Sequence, residues 1–162
     1  IGDALCFQRA PFGFERLPDF RPEVWRGVKQ EADRQIRALP AGLVTGSDAA
    51  AKAIAAARTN LARLPGGGRV DLQVSRFQDR AGLEGVVLVS NPPYGRRLQR
   101  TADMGAFMGE IGNFLKRRCT GSTAFLYLGD RQLVKMVGLK ASWKKPLKNG
   151  GLDGLLVKYE LY

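Results

Sequence analysis

Histidine is absent from this 162-residue chain, and cysteine occurs only as Cys6 and Cys119. These two shortages exclude a Ser-His-Asp or Cys-His nucleophilic centre, an imidazole general base and any His-based metal site, and two thiols cannot complete a tetrahedral zinc site. No metal is therefore expected. Two isolated thiols fit small buried residues in a reducing compartment better than a disulfide framework. No apolar run approaches the roughly 18 residues that suggest a membrane span, and no charged-then-apolar leader is present. The expectation is a cytoplasmic protein with no membrane partner. Acidic residues are scarce in one region. Residues 1–90 carry 13 Lys/Arg against 10 Asp/Glu, residues 91–150 carry 12 against 3, and the last twelve carry 1 against 2, for a net charge of +11.

The basic excess begins at Asn91-Pro92-Pro93-Tyr94, which follows the short apolar, β-branched run Val86 to Ser90. A run of that length stopped by Asn-Pro-Pro reads as a central strand of a parallel sheet, and loops at the carboxyl ends of such strands are where α/β sheets place ligands. The four residues suit an exocyclic amine on a nucleobase, whose nitrogen lone pair is delocalised into the ring. The Asn91 side-chain oxygen and the Pro92 carbonyl can each accept one N–H, favouring a pyramidal nitrogen aimed at a methyl donor, while Pro93 stiffens the turn and Tyr94 stacks on the base. Amine methylation also needs no histidine, because a sulfonium donor is already activated and the nitrogen can lose its proton to water after attack. The plainer alternative is a turn of no chemical consequence, since Asn and Pro form turns for local reasons. A given tetrapeptide arises by chance in a chain this long with a probability of about 0.001. A polyphosphate partner would be met by Arg96, Arg97 and Arg100 beside the motif and by Lys144, Lys145 and Lys148 further on. The alternative for these cations is a solvated basic face.

The remaining chain reads as alternating elements in a single domain, 1–162, with a core of ordinary size. Ile1 to Gln8 has the look of a helix end, and Arg9 to Phe20 is a Pro- and aromatic-rich connector whose Phe12, Phe14 and Phe20 should pack on a neighbour. A helix follows with Pro22 in its first turn and Trp25, Val28, Ala32, Ile36 and Leu39 on one face, closed by Pro40. Leu43 to Asp48 is a strand ending in an acid where an Ala-rich helix, Ala49 to Leu64, begins. Asp48 is either a ligand for ribose hydroxyls or only the helix N-cap. Pro65 to Gly68 is a connector, Arg69 to Ser75 a strand, and Asp103 is expected to cap a helix with Met104, Phe107, Met108, Ile111, Phe114 and Leu115 as its core face. Gly105, Gly109 and Gly112 lie on another face and permit close packing. Thr123 to Leu128 is a strand and Asp130 to Val137 a short helix. Leu139 to Lys145 and Leu155 to Tyr162 are the last strands, with Pro146 to Gly151 as a hairpin turn.

Phe12-Gly13-Phe14-Glu15-Arg16-Leu17-Pro18 with Trp25, Gly46-Ser47-Asp48, Asn91-Pro92-Pro93-Tyr94-Gly95 with Arg97-Leu98, Phe114 to Cys119, and Pro146 to Gly150 together carry a family likeness. The chain resembles the class I S-adenosylmethionine-dependent RNA guanine-N2 methyltransferases that usually carry an N-terminal THUMP domain. Within these it is similar to the 23S ribosomal RNA methylases often labelled N6-adenine-specific DNA methylases. The resemblance implies a Rossmann-like α/β fold, doubly wound and mostly parallel with an antiparallel terminal hairpin, in the order 3-2-(1)-4-5-7-6. The chain is expected to be the C-terminal portion of such a methyltransferase, starting after the first strand and its Gly-rich loop and without the THUMP domain. The resemblance also implies S-adenosylmethionine as cofactor, held by Asp48 with Ala49, by Arg76 and Phe77, and by Asn91. RNA is the implied partner, rRNA first and tRNA as an alternative. Arg76 stands where the family usually has an acid for the adenine amino group, leaving backbone near Phe77 or a displaced Asp79. A noncatalytic RNA-binding fragment and a DNA adenine-N6 methylase are the competing expectations.

Overall fold

Alternation of β-branched strands with amphipathic helices produces two βαβ units, the building blocks of a doubly wound α/β fold. The computed structural model describes residues 12–93, 101–149 and 151–162. The chain divides into Ile1–Phe77 and Gln78–Tyr162. In the first unit, Phe12 and Phe14 close on Trp25: they stack on each other at 5.3 Å between centroids, Phe14 meets Trp25 edge-on at 5.0 Å, and Phe20 lies against Phe14 at 6.0 Å. Trp25 belongs to α1 (Pro22–Arg34), which starts at Pro22 because a fixed φ and a missing N–H cost nothing there. The helix ends at Arg34 rather than at Pro40, so Ile36 and Leu39 of the expected face lie beyond it. Leu39 is buried, whereas Val28 and Ile36 remain exposed.

β1 (Thr45–Asp48) and β2 (Asp71–Val74) pair in parallel across α2 (Ala51–Leu61), with Asp48 opposite Val74. All three elements are two to five residues shorter than the sequence suggests, because the apolar flanks Leu43 and Leu64 lie outside the hydrogen-bonded segments. The connector turns at Gly66 in the left-handed region (φ 74°), and Gly67 is packed so tightly on the Leu61 carbonyl that a Cβ would sit 1.9 Å from its oxygen.

The second unit holds a four-stranded sheet ordered β3-β4-β6-β5. β3 (Val87–Ser90) runs parallel to β4 (Thr123–Leu128). β6 (Leu152–Glu160) runs antiparallel to both β4 and β5 (Trp143–Asn149). Both sheets follow the expected relative strand order. Most boundaries shift by one to four residues from expectation, and three differences bear on the site. Asp103 lies inside the first turn of α3 (Thr101–Arg118) rather than ahead of it. β5 starts at Trp143 rather than Leu139 and takes in Pro146 to Asn149, because an edge strand tolerates a proline, so the hairpin arms pair out to Asn149 and Leu152. β3 is, among the described residues, an edge strand rather than a central one, and its Val87 and Val89 are exposed at 69% and 79%.

One face of the β4–β6 ladder forms the core. Ala124, Leu126, Leu128, Leu155, Val157 and Tyr159 are buried there, and so are Met104, Met108, Ile111 and Leu115 of α3 and Leu133 and Val134 of α4 (Arg131–Met136). Cys119 is buried at the end of α3, where burial pushes its thiol up, and Cys6 lies outside the described residues. On the other face, Lys158 pairs with Glu160, which also accepts from Thr123 Oγ1 at 2.9 Å. These two partners, Lys158 first, hold the Glu160 carboxyl below its usual range.

The glycines of α3 are not equivalent. A Cβ on Gly112 would lie 1.8 Å from the Val137 carbonyl oxygen, whereas one on Gly109 meets nothing within 4 Å. Gly112→Ala should therefore destabilise by about 1–3 kcal/mol and Gly109→Ala should stabilise by up to about 1 kcal/mol, read as opposite shifts of the urea midpoint. Tyr159 is buried with its hydroxyl lacking a hydrogen-bond partner among the described residues, and burial pushes its pKa up to about 12. The unfolded phenol loses its proton near pH 10, so stability held below that pH falls as pH rises towards 12, by up to about 1.4 kcal/mol per unit. Urea titrations at pH 9 to 12 should show this slope in the wild type and a flatter one in Tyr159→Phe.

Candidate active site

In the second unit, the parallel ladder ends at Ser90 opposite Leu126, and the chain leaves the sheet as Asn91, Pro92 and Pro93. Pro92 is buried, while Asn91 and Pro93 are exposed. A rigid ring set into the core beside an exposed amide is the arrangement that presents an acceptor without leaving it free to swing.

The near end of β3 is tied down as firmly. Ser122, 2% exposed, donates from Oγ to the Leu83 carbonyl at 2.7 Å and accepts from the Val86 N–H at 3.0 Å. Backbone bonds from Leu83 N–H to the Arg118 carbonyl (2.7 Å), Gly85 N–H to Thr120 (3.2 Å) and Thr123 N–H to Val86 (3.0 Å) lace the same segment to the end of α3 and the start of β4. Ser122 thus positions the strand that carries Asn91. Sequence reading missed it, because Gly121-Ser122 between a helix and a strand looks like any polar turn. At the carboxyl end of β4, Asp130 accepts from Gln132 N–H at 2.8 Å and caps α4, on the same sheet edge as the Asn91 turn.

In the first unit, Asp48 closes β1 and is exposed. Its Oδ1 accepts from Ala50 N–H at 2.7 Å, two residues on, and Ala50 itself is the residue at the cap position of α2. The carboxylate therefore makes a local turn bond, and Oδ2 stands outside it as an acceptor. Ala49 is exposed beside it. The parallel ladder continues from Ser75 N–H to the Asp48 carbonyl at 3.0 Å. Arg76 and Phe77 follow β2 at this same carboxyl edge. Arg76 is exposed, with its carbonyl accepting from Ser75 Oγ at 3.0 Å, and Phe77 is half-buried at the start of a short turn of 3-10 helix that ends on the exposed Asp79. A carboxylate acceptor and a half-buried ring on adjacent strand ends fit the ribose and purine of a nucleoside.

Tyr94, Arg96, Arg97 and Arg100 lie outside the described residues. Lys144, Lys145 and Lys148 are all exposed on β5. Strand alternation puts Lys144 and Lys148 on one face of the sheet and Lys145 on the other, where its Nζ lies 5.1 Å from the Trp143 ring centroid. No cluster of three metal-ligating side chains exists among the described residues.

The family model described as the RMKL-like methyltransferase domain (UPF0020) matches residues 3–158. A Synechocystis protein named "Putative RNA methyltransferase slr0064" is 39% identical over 153 residues, which cover 93% of this chain and 40% of that protein. The ribosomal RNA large subunit methyltransferase K/L of Photobacterium profundum is 30% identical, covering 94% of this chain and 22% of its own length. The chain thus spans well under half of these relatives. Among solved structures, that of SMU.472, a "putative methyltransferase complexed with SAH", superposes with a TM-score of 0.77 at 28% identity, over 96% of this chain and 41% of that one.

If Ser122 holds the base of β3, Ser122→Ala should leave the Val86 N–H and the Leu83 carbonyl without this part-buried partner. A loss of about 1–3 kcal/mol in chemical denaturation is expected, with faster amide exchange at Val86 than elsewhere in the sheet.

Proposed function

Because this chain belongs to the RMKL-like methyltransferase domain family, we propose that it transfers a methyl group from S-adenosylmethionine to the exocyclic N2 amine of a guanine in RNA, with large-subunit ribosomal RNA as the substrate. The observation that carries the proposal is the Asn91-Pro92 turn at the carboxyl end of β3, with Pro92 buried and Asn91 exposed. The family match and the relatives' names support the reaction class and the RNA.

In this reading S-adenosylmethionine supplies a methyl group already activated on a sulfonium. The chain's own work is orientation. Asn91 Oδ1 and the Pro92 carbonyl accept the two amine N–H bonds, so the nitrogen lone pair leaves conjugation and points along one direction. Pro93 fixes the turn, and Tyr94 stacks on a base that must be single-stranded or flipped to reach a strand tip. The proton released from nitrogen passes to water, consistent with a chain that has no histidine. On the cofactor side, Asp48 accepts from the ribose hydroxyls with Ala49 beside it, and Phe77 lies against the purine. Arg76 leaves recognition of the adenine amino group to backbone or to Asp79. Arg96, Arg97 and Arg100 contact RNA phosphates.

Asp48 and Asn91 have separable duties, which gives the test. In the intact gene product, Asn91→Ala should lower methyl transfer to ribosomal RNA by about 100-fold or more at unchanged cofactor affinity. Asp48→Ala should weaken S-adenosylmethionine binding in calorimetry. Wild-type turnover in Asn91→Ala would overturn the amine-holding role. Product analysis giving N6-methyladenine in DNA, or RNA binding with no cofactor affinity, would overturn the reaction.

A further inference from the structure

The β5–β6 hairpin extends beyond the sheet it belongs to. The last β4–β6 pair is Leu128 with Leu155, yet the β5–β6 ladder continues through Gly154, Asp153 and Leu152 to Asn149. A free two-stranded arm is marginal in water, and this one is pinned. Tyr127 Oη donates to the Leu147 carbonyl at 3.2 Å, reaching diagonally across the sheet over Gly154. A Cβ at Gly154 would lie 2.5 Å from the Tyr127 ring and hydroxyl, so only glycine leaves the ring room. The arm projects from the carboxyl edge of β4, the edge on which β3 delivers Asn91.

Its charges face outward on both sides. Lys145, level with Tyr127 at the root of the arm, lies on the Tyr127 face, and Lys148, on the arm itself, lies on the opposite one, with Arg131 exposed where α4 leaves the end of β4. Asp153 holds Lys148 at 3.7 Å with both side chains 81% exposed, a contact weak enough for a phosphate to displace. We propose that this hairpin is a clamp for the substrate strand, in which Arg131, Lys145 and Lys148 grip the phosphates flanking the target nucleotide and the Tyr127–Gly154 contact positions the arm. The proposal deepens the function given above and rests on its RNA substrate. Lys144 is no part of the clamp, because it lies five residues before Asn149 beside Val157, level with Leu126 and one step further into the sheet than Lys145.

The test uses the intact gene product with single-stranded RNA and ribosomal RNA. Replacing Arg131, Lys145 and Lys148 together by Gln should lower the log–log salt slope of binding to the single strand by about 2, since each lost contact removes roughly 0.7. On ribosomal RNA the same variant should show a KM on the order of 10-fold higher with kcat within about twofold. Arginine in place of both lysines should restore the slope. Tyr127→Phe and Gly154→Ala, which keep all three cations, should raise KM for RNA while leaving S-adenosylmethionine affinity unchanged. An unchanged salt slope and KM in the triple variant overturns the clamp. So does a Tyr127→Phe protein that retains wild-type KM. Equilibrium binding reads the clamp even without turnover, so failure of wild-type methyl transfer would count against the proposed reaction and not against the hairpin.

Discussion

The second unit depends on β4, the strand with a parallel neighbour on one side and an antiparallel neighbour on the other. Its Ala124, Leu126 and Leu128 are essentially without exposure, and period-two alternation forces them onto one face together with Leu155, Val157 and Tyr159 of β6. A one-residue slip would turn that set to solvent, so burial fixes the register. Everything functional in this unit inherits its position from that register. Ser90 sits opposite Leu126, so Asn91 leaves the sheet at a defined height. Leu155 sits opposite Leu128, so the hairpin overshoots by a defined length.

Two kinds of rigidity serve this edge. One is covalent: consecutive prolines limit the backbone after β3, and the buried Pro92 converts that stiffness into a fixed place for Asn91. The other is hydrogen bonding at part-buried positions, where Ser122 satisfies two backbone groups ahead of β3 and Tyr127 satisfies one on the far hairpin arm. Neither Ser122 nor Tyr127 carries charge or touches the candidate chemistry. Their contribution is to leave Asn91 and the hairpin cations, the groups proposed to meet substrate, little freedom to lose.

Much of this was legible in the chain itself. The apolar spacing from Met104 to Leu115 identified α3 and its buried face, because a helix repeats every 3.6 residues and the core admits only one side. Thr123 to Leu128 was legible to the residue, since Gly121 and Gly129 bracket a strand whose alternate positions are wholly buried. The Asn-Pro-Pro turn stood out by its chemistry and by the strand ahead of it. Less legible were the ends of elements. Asp103 looked like a cap because an acid often precedes a helix, but it lies within the first turn. Pro146 looked like a turn residue because its tolerance at an edge strand is a property of the sheet and not of the local sequence.

The sequence by itself determined the alternation of elements and the residue types offered at each strand end, both of which depend on local spacing and composition. Tertiary structure decided which groups act on one another. That Ser122 bridges Leu83 and Val86, and that Gly154 must lack a side chain to admit Tyr127, are consequences of contact between segments. The exposure of Val87 and Val89 is of the same kind: their apolar character announces a strand, but whether an apolar strand lies at the centre of a sheet or at its edge depends on what pairs with it. Strand pairing and close packing are properties of residues distant in the chain, and no local pattern encodes them.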